Sequence, residues 1–156
     1  MNSLKLISKV GNGDSDRIEA WREISNAWRQ ITREAEKNLS SLGICTTEFK
    51  ILKLLDNDGP TPMARLSDAT ILTQPAITSF IDKLETQGFV RRDRDVEDRR
   101  VIRIEITKKG QLLFRRGMKI HKKFVSELLS GLDDSELSQF TRTIKKLSGV
   151  QVHIVK

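Results

Sequence analysis

Residues 91–100 read RRDRDVEDRR and are followed at once by VIRIEI, so that five arginines and four carboxylates fill ten consecutive positions. Guanidinium groups at this density suit closely spaced phosphates, which they bind through paired N–H donors. Standing alone, a dense block of mixed charge is more simply a solvated linker. Its flanks argue otherwise. Val101, Arg103 and Glu105 alternate with Ile102, Ile104 and Ile106, the period of a half-buried strand, while Gly88-Phe89-Val90 supplies a turn residue and a short apolar strand. The block is therefore expected to be the charged tip of a β-hairpin.

The basicity of the chain is concentrated in the same region. Over 156 residues the formal net charge is +7, yet residues 91–123 hold 13 Lys/Arg against 5 Asp/Glu and the remainder holds 15 against 16. Clustered cations point to a polyanion surface more directly than a high overall pI does. The alternative, a salt-bridged face turned to solvent, stays open on composition alone. The length fits one compact domain with a real core, although long helices could spread that core across a partner chain. There is no run of eighteen apolar residues, and the N-terminal MNSLKLISKVGNGDSD lacks a signal-peptide core. The expectation is a soluble, cytoplasmic protein with no membrane part. A single cysteine, Cys45, excludes an intrachain disulfide and suits a reducing compartment.

The elements that must position the hairpin are helical. From Ser15 to Leu42 the residues Ile18, Trp21, Trp28, Ile31, Ala35, Leu39 and Leu42 recur at helical spacing, with Ile24 near the same stripe. Thr46 is placed to cap a second helix that runs to about Asn57, burying Phe49, Leu52 and Leu55 before Asp58-Gly59-Pro60 stops it. Thr61-Pro62 then offers an N-cap and a first-turn proline for a short helix with Met63, Leu66 and Ala69 inward. After a turn at 70–72, Thr73 caps a helix to Gln87 whose buried stripe is Ile77, Phe80, Ile81 and Leu84. Its other face carries Thr78, Ser79, Asp82 and Thr86, with Gln74 and Pro75 at its N-terminal end. Two short helices joined by a tight turn, the second displaying Thr73, Gln74, Pro75, Thr78 and Ser79, are what a major-groove reader requires. Three small packed helices are common elsewhere, and the adjoining basic hairpin is what makes them a helix-turn-helix with a wing.

Beyond the hairpin, Thr107 is placed to cap a helix through about Leu129, with Leu113, Ile120 and Phe124 on one side. Gly131 breaks it, and Asp133 with Glu136 forms a capping box for a last helix bearing Leu137, Phe140, Ile144 and Leu147. Val150, Val152 and Ile154 alternate in a tail that reads either as a short strand or as an extended arm.

The order of elements and the hairpin motif resemble the multiple-antibiotic-resistance-regulator (MarR) family of winged-helix transcription factors. Its wing pattern, Asp-x-x-Asp-Arg-Arg and then a strand ending in Thr-x-x-Gly, stands here as Asp95, Asp98, Arg99, Arg100, then Ile104, Ile106, Thr107 and Gly110, and TQPAITSFIDKLETQGFVRR is similar to the family's recognition helix and exit strand. The resemblance covers residues 15–148. It implies a mainly α fold with a small β-hairpin in a single domain, 1–156. A winged helix-turn-helix core at 46–106, with its wing at 89–106, lies between dimerisation helices at 15–42 and 107–148. It further implies a homodimer binding double-stranded DNA at a palindromic operator to regulate transcription. In that reading Arg99 or Arg100 reaches a minor groove, Asp95 and Asp98 orient the wing arginines, and Arg91, Arg92 and Arg94 contact phosphates or pair with the acids. A wing held together only by internal ion pairs is the plainer alternative.

The resemblance also implies a small aromatic anionic effector in a crevice beside the dimerisation helices, for which Trp21 and Trp28 would be walls and Arg22, Arg29 and Arg33 anion partners. Both tryptophans serve equally well as dimer core. An architectural winged-helix protein of low sequence specificity is the alternative function. Enzymatic chemistry is not expected: the histidines are His121 and His153 alone, and HExxH, CxxC and phosphate-loop motifs are missing, as are the three or four converging ligands of a metal site. No cofactor is implied, and His121, set among lysines, reads as a solvated helix residue. A sensing role for Cys45 is disfavoured, because peroxide-sensing relatives carry their cysteine early in the first helix with tyrosine partners, and this chain has no tyrosine.

Overall fold

The computed structural model describes residues 12–95 and 98–149. The N-terminal eleven residues and the alternating tail at Val150, Val152 and Ile154 lie outside the described residues, as do Val96 and Glu97. In chain order the elements are α1 (Asn12–Ser40), α2 (Thr46–Asp58), β1 (Thr61–Pro62), α3 (Met63–Thr70), α4 (Gln74–Thr86), β2 (Val90–Arg94), β3 (Ile102–Ile106), α5 (Lys108–Leu129) and α6 (Asp134–Ser148). The sheet is antiparallel with order β1-β3-β2.

The core fills the space enclosed by α2, α3, α4, the sheet and the first half of α5. Ile51, Leu52, Leu66, Ile77, Ile81, Leu84 and Ile104 are fully buried, and Phe49 stacks at 5.6 Å against Phe114 of α5. Only the C-terminal end of α1 joins this core, through Leu39. Gly117 lets α5 approach α2, since a Cβ there would stand 2.7 Å from Cε2 of Phe49. The Thr107-x-x-Gly110 motif has a local explanation. Thr107 accepts the Gly110 N–H at 3.1 Å to cap α5, and its hydroxyl donates to the Gly88 carbonyl at 2.7 Å, while Gly110 packs so closely on the Phe89 carbonyl that any side chain would collide with it.

Several expectations from the sequence need correction. Cys45, and not Thr46, caps α2: its thiol accepts the Glu48 N–H at 3.4 Å while the Glu48 carboxylate accepts the Cys45 N–H at 2.8 Å. Thr61-Pro62 does stand at a helix start, but the N-cap of α3 falls on Pro62 and not Thr61, and the pair is also a short strand. Its residues pair with Ile104 and Arg103 of β3, a partner some forty residues away that no local pattern reveals. Ala69 is exposed and Phe80 only half-buried, because α3 and α4 turn narrower faces inward than their stripes suggested. Thr73 holds the N-cap position of α4 without a side-chain cap bond. Ile102 is exposed although Ile104 and Ile106 are buried, because β3 outruns the core at its N-terminal end. His121 is half-buried with its ring 5.7 Å from that of Phe49, packed and not simply solvated. The Asp133–Glu136 capping box of α6 forms as its spacing predicts, with both bonds at 2.9 Å.

Candidate nucleic-acid interface

The face of α4 that does not enter the core presents Gln74, Pro75, Thr78 and Ser79, all exposed, with Thr73 just before them. The amphipathic pattern enforces this: burying Ile77, Ile81 and Leu84 turns the intervening polar positions outward. The Thr78 hydroxyl donates to the Gln74 carbonyl at 2.8 Å, which leaves its oxygen and methyl outward. The Gln74 amide and the Ser79 hydroxyl form no side-chain bond among the described residues, as suits groups that meet base edges.

The wing arginines divide into two sets. Arg91 and Arg92 lie within β2, Arg91 exposed and Arg92 half-buried, and both are paired with carboxylates of the same chain. Arg91 donates to Glu105 at 2.9 Å and 2.5 Å and sits 3.0 Å from Asp93. That hydrogen bond to Glu105, helped by the nearby acidic charges, holds its guanidinium above the ordinary arginine pKa. Arg92 bonds Asp82 at 2.5 Å and also Glu85, both on α4, and Glu85 accepts the Arg92 backbone N–H at 3.1 Å. Partial burial opposes its charge, but the two carboxylates outweigh it and its pKa is raised. Arg94, Arg99 and Arg100 are exposed and have no carboxylate partner among the described residues.

The two acids of the wing motif bond the wing's backbone and not the Arg99 and Arg100 side chains. Asp95 is buried and pairs with Arg103, which also reaches the Pro60 carbonyl at 3.3 Å, so the stem of the wing is tied to the start of β1. Asp95 further accepts the Asp98 N–H at 3.0 Å, and Asp98 in turn accepts the Arg100 N–H at 3.0 Å. The carboxylates thus fix the backbone that presents Arg99 and Arg100, while those side chains meet no carboxylate among the described residues. Arg103 was missed by sequence reasoning. Its signal was the alternation of β3, which placed it opposite Asp93, but its bond to Asp95 depends on how the chain turns at the tip.

Trp28, Arg29 and Arg33 border a depression of about 740 Å³ together with Thr32, Glu36, Lys37 and Ser40. Every one of these residues belongs to α1, so the described residues of one chain provide one wall and no opposing one. Trp21 and Arg22 lie outside it, Arg22 being paired with Glu19 at 3.2 Å. Cys45 is half-buried, and that burial pushes its thiol pKa up. A thiol so placed is a weak nucleophile. Among the described residues no group of three or more His, Cys, Asp or Glu is placed to hold a metal, and no helix is long and apolar enough to cross a membrane.

Comparison with known proteins agrees with this geometry. The MarR family model matches residues 44–102, from the start of α2 into the wing. The HTH-type transcriptional regulator MhqR of Bacillus subtilis (strain 168) is 32% identical over 132 residues, 83% of this chain and 91% of that protein. The crystal structure of the transcriptional regulator BldR from Sulfolobus solfataricus is 32% identical with a TM-score of 0.72, covering 86% of this chain and 96% of that one. A mutant MarR from E. coli complexed with operator DNA shares the fold at a TM-score of 0.75, with 22% identity over 85% of this chain and 95% of that one.

Proposed function

The chain belongs to the MarR family of DNA-binding transcriptional regulators, and on that premise we propose that it acts as a homodimer that recognises a palindromic operator in sequence-specific fashion. The observation that carries this reading is the pairing of an exposed polar face on α4 with three exposed wing arginines that have no carboxylate partner among the described residues. Gln74 and Ser79, with Thr73, Pro75 and Thr78 around them, read base edges in the major groove. Arg99 and Arg100 enter the neighbouring minor groove, and Arg94 meets the phosphate backbone. Arg91 and Arg92 set the wing's position through their pairs with Glu105, Asp82 and Glu85, which already occupy their guanidinium groups.

Dimerisation is supported by what a single chain leaves uncovered. Trp21 and Trp28 are 69% and 67% exposed, and α6 buries none of its residues although Leu137, Phe140, Ile144 and Leu147 form one stripe. Apolar surface of this extent on two long helices calls for a partner, and a second copy of the same helices supplies one by two-fold symmetry. The dimer would also provide the wall that the α1 depression lacks, so a small aromatic anion held by Trp28, Arg29 and Arg33 belongs to the same proposal. The location implied is cytoplasmic.

Sedimentation equilibrium tests the assembly. The proposal expects a species of twice 17.8 kDa at all micromolar concentrations, and aggregated or unfolded material when residues 1–42 are deleted. A soluble, monomeric 43–156 fragment that binds DNA as well as the full chain would overturn it.

A further inference from the structure

Ile71, where α3 ends, holds φ 57° and ψ 38°, and it is the one non-glycine residue with positive φ among the described residues. A β-branched side chain fits this left-handed region badly, because its Cβ substituents crowd the following carbonyl. The turn nevertheless imposes the conformation. The Ile71 N–H bonds the Asp68 carbonyl at 3.3 Å, the Leu72 N–H bonds Ser67 at 3.2 Å, and the Ser67 hydroxyl donates to the Leu72 carbonyl at 2.5 Å. Glycine or asparagine would satisfy the same turn at lower conformational cost. Nor does the isoleucine gain burial in return, since it is 93% exposed.

An apolar, branched side chain thus stands in a strained conformation that does nothing for the folded monomer. Strain of that kind is retained where an external contact uses it. Its position indicates the contact, because Ile71 lies two residues before the N-cap of α4 and three before Gln74. Its exposed sequence neighbours are Asp68, Ala69, Thr73, Gln74 and Pro75, three of them polar and none a large side chain of the kind that anchors a protein partner. In the major groove the one apolar group is the thymine C5-methyl.

We propose that Ile71 is a specificity-determining residue that packs against a thymine methyl at the edge of the major groove in each half-site. This rests on the reading of α4 as the DNA-facing helix. The test uses the operator selected by the purified protein, with each symmetry-related pair of thymines replaced by deoxyuridine, which removes the methyl alone. Wild type is expected to bind one such operator roughly four- to fifteenfold more weakly, the effect of two lost methyl contacts. Ile71→Gly, whose Tm should rise, is expected to bind the unmodified operator more weakly by a similar factor and to ignore that same replacement. Ile71→Asn should behave like the glycine variant. Wild-type affinity unchanged on every deoxyuridine operator overturns the inference and leaves the DNA-binding reading standing, as does a methyl effect that persists in Ile71→Gly. If wild type selects no sequence at all, the reading of α4 fails and the inference falls with it.

Discussion

Replacing Lys83 with methionine should cost more stability than any exposed lysine ought to. Glu48 is fully buried at the N-terminus of α2, where one carboxylate oxygen accepts the Cys45 N–H at 2.8 Å and the other sits 2.8 Å from the Lys83 ammonium on α4. Breaking a buried pair by removing one partner costs about 3–5 kcal/mol. Lys83 is itself half-exposed, so water screens part of the attraction, and the discounted cost is about 2–3 kcal/mol. Glu48→Gln keeps the cap and removes the charge, which should cost about 1–2 kcal/mol. The double variant should then be less damaged than the sum of the two, by about 1 kcal/mol or more of coupling. The assay is urea denaturation at neutral pH with protein concentration held constant, because a dimer's apparent stability depends on it. The hydrogen bond to Glu48 raises the Lys83 pKa above its usual 10.5. Its contribution is therefore complete below pH 10.5 and is lost as the pH rises through the higher folded value, so Lys83→Met should show a shallower alkaline decline than wild type. A Lys83→Met variant within 0.5 kcal/mol of wild type, with no coupling to Glu48→Gln, would refute the reasoning.

Gly117→Ala places a Cβ 2.7 Å from the Phe49 ring; overpacking outweighs the gain in helix propensity, and thermal unfolding should report a loss of about 1–2 kcal/mol. Cys45 has its thiol pKa raised by burial, so iodoacetamide at pH 7 should label the native protein far more slowly than the urea-unfolded one; equal rates would contradict the capped geometry. In DNA titrations across salt, Arg99→Ala and Arg100→Ala should each reduce the salt slope by about one and weaken all sequences. Arg92→Ala, which releases Asp82 and Glu85 on α4, should instead lower the ratio of specific to non-specific affinity if α4 reads the operator as proposed.

What the sequence made legible was local. The caps at Thr107 and Asp133 depend on residues three positions away, and the polar face of α4 follows from the 3.6-residue period, so both could be read from the chain. The partners of the wing residues could not. Arg92 meets Asp82 and Glu85 because β2 folds back on α4, and Arg103 meets Asp95 through the turn at the hairpin tip. Neither follows from spacing. The helix start at Thr61-Pro62 was legible to within one residue, but its pairing as β1 was not, because its strand partner lies far along the chain. The cap at Cys45 escaped because a thiol is an unusual acceptor next to a threonine that suits the role better. Ile71 gave no signal either, since only the backbone shows that its turn demands a left-handed residue.

Selection from a random duplex library with the purified full-length protein, at about 0.15 M salt so that non-specific phosphate binding is weakened, tests the central claim most directly. The account predicts an enriched palindrome with half-sites roughly 10 base pairs apart, whose consensus is relaxed at defined positions by Gln74→Ala or Ser79→Ala. Binding that survives the selection without any enriched sequence, and that these two substitutions leave unchanged, would contradict it and leave a protein that coats DNA through its wing alone.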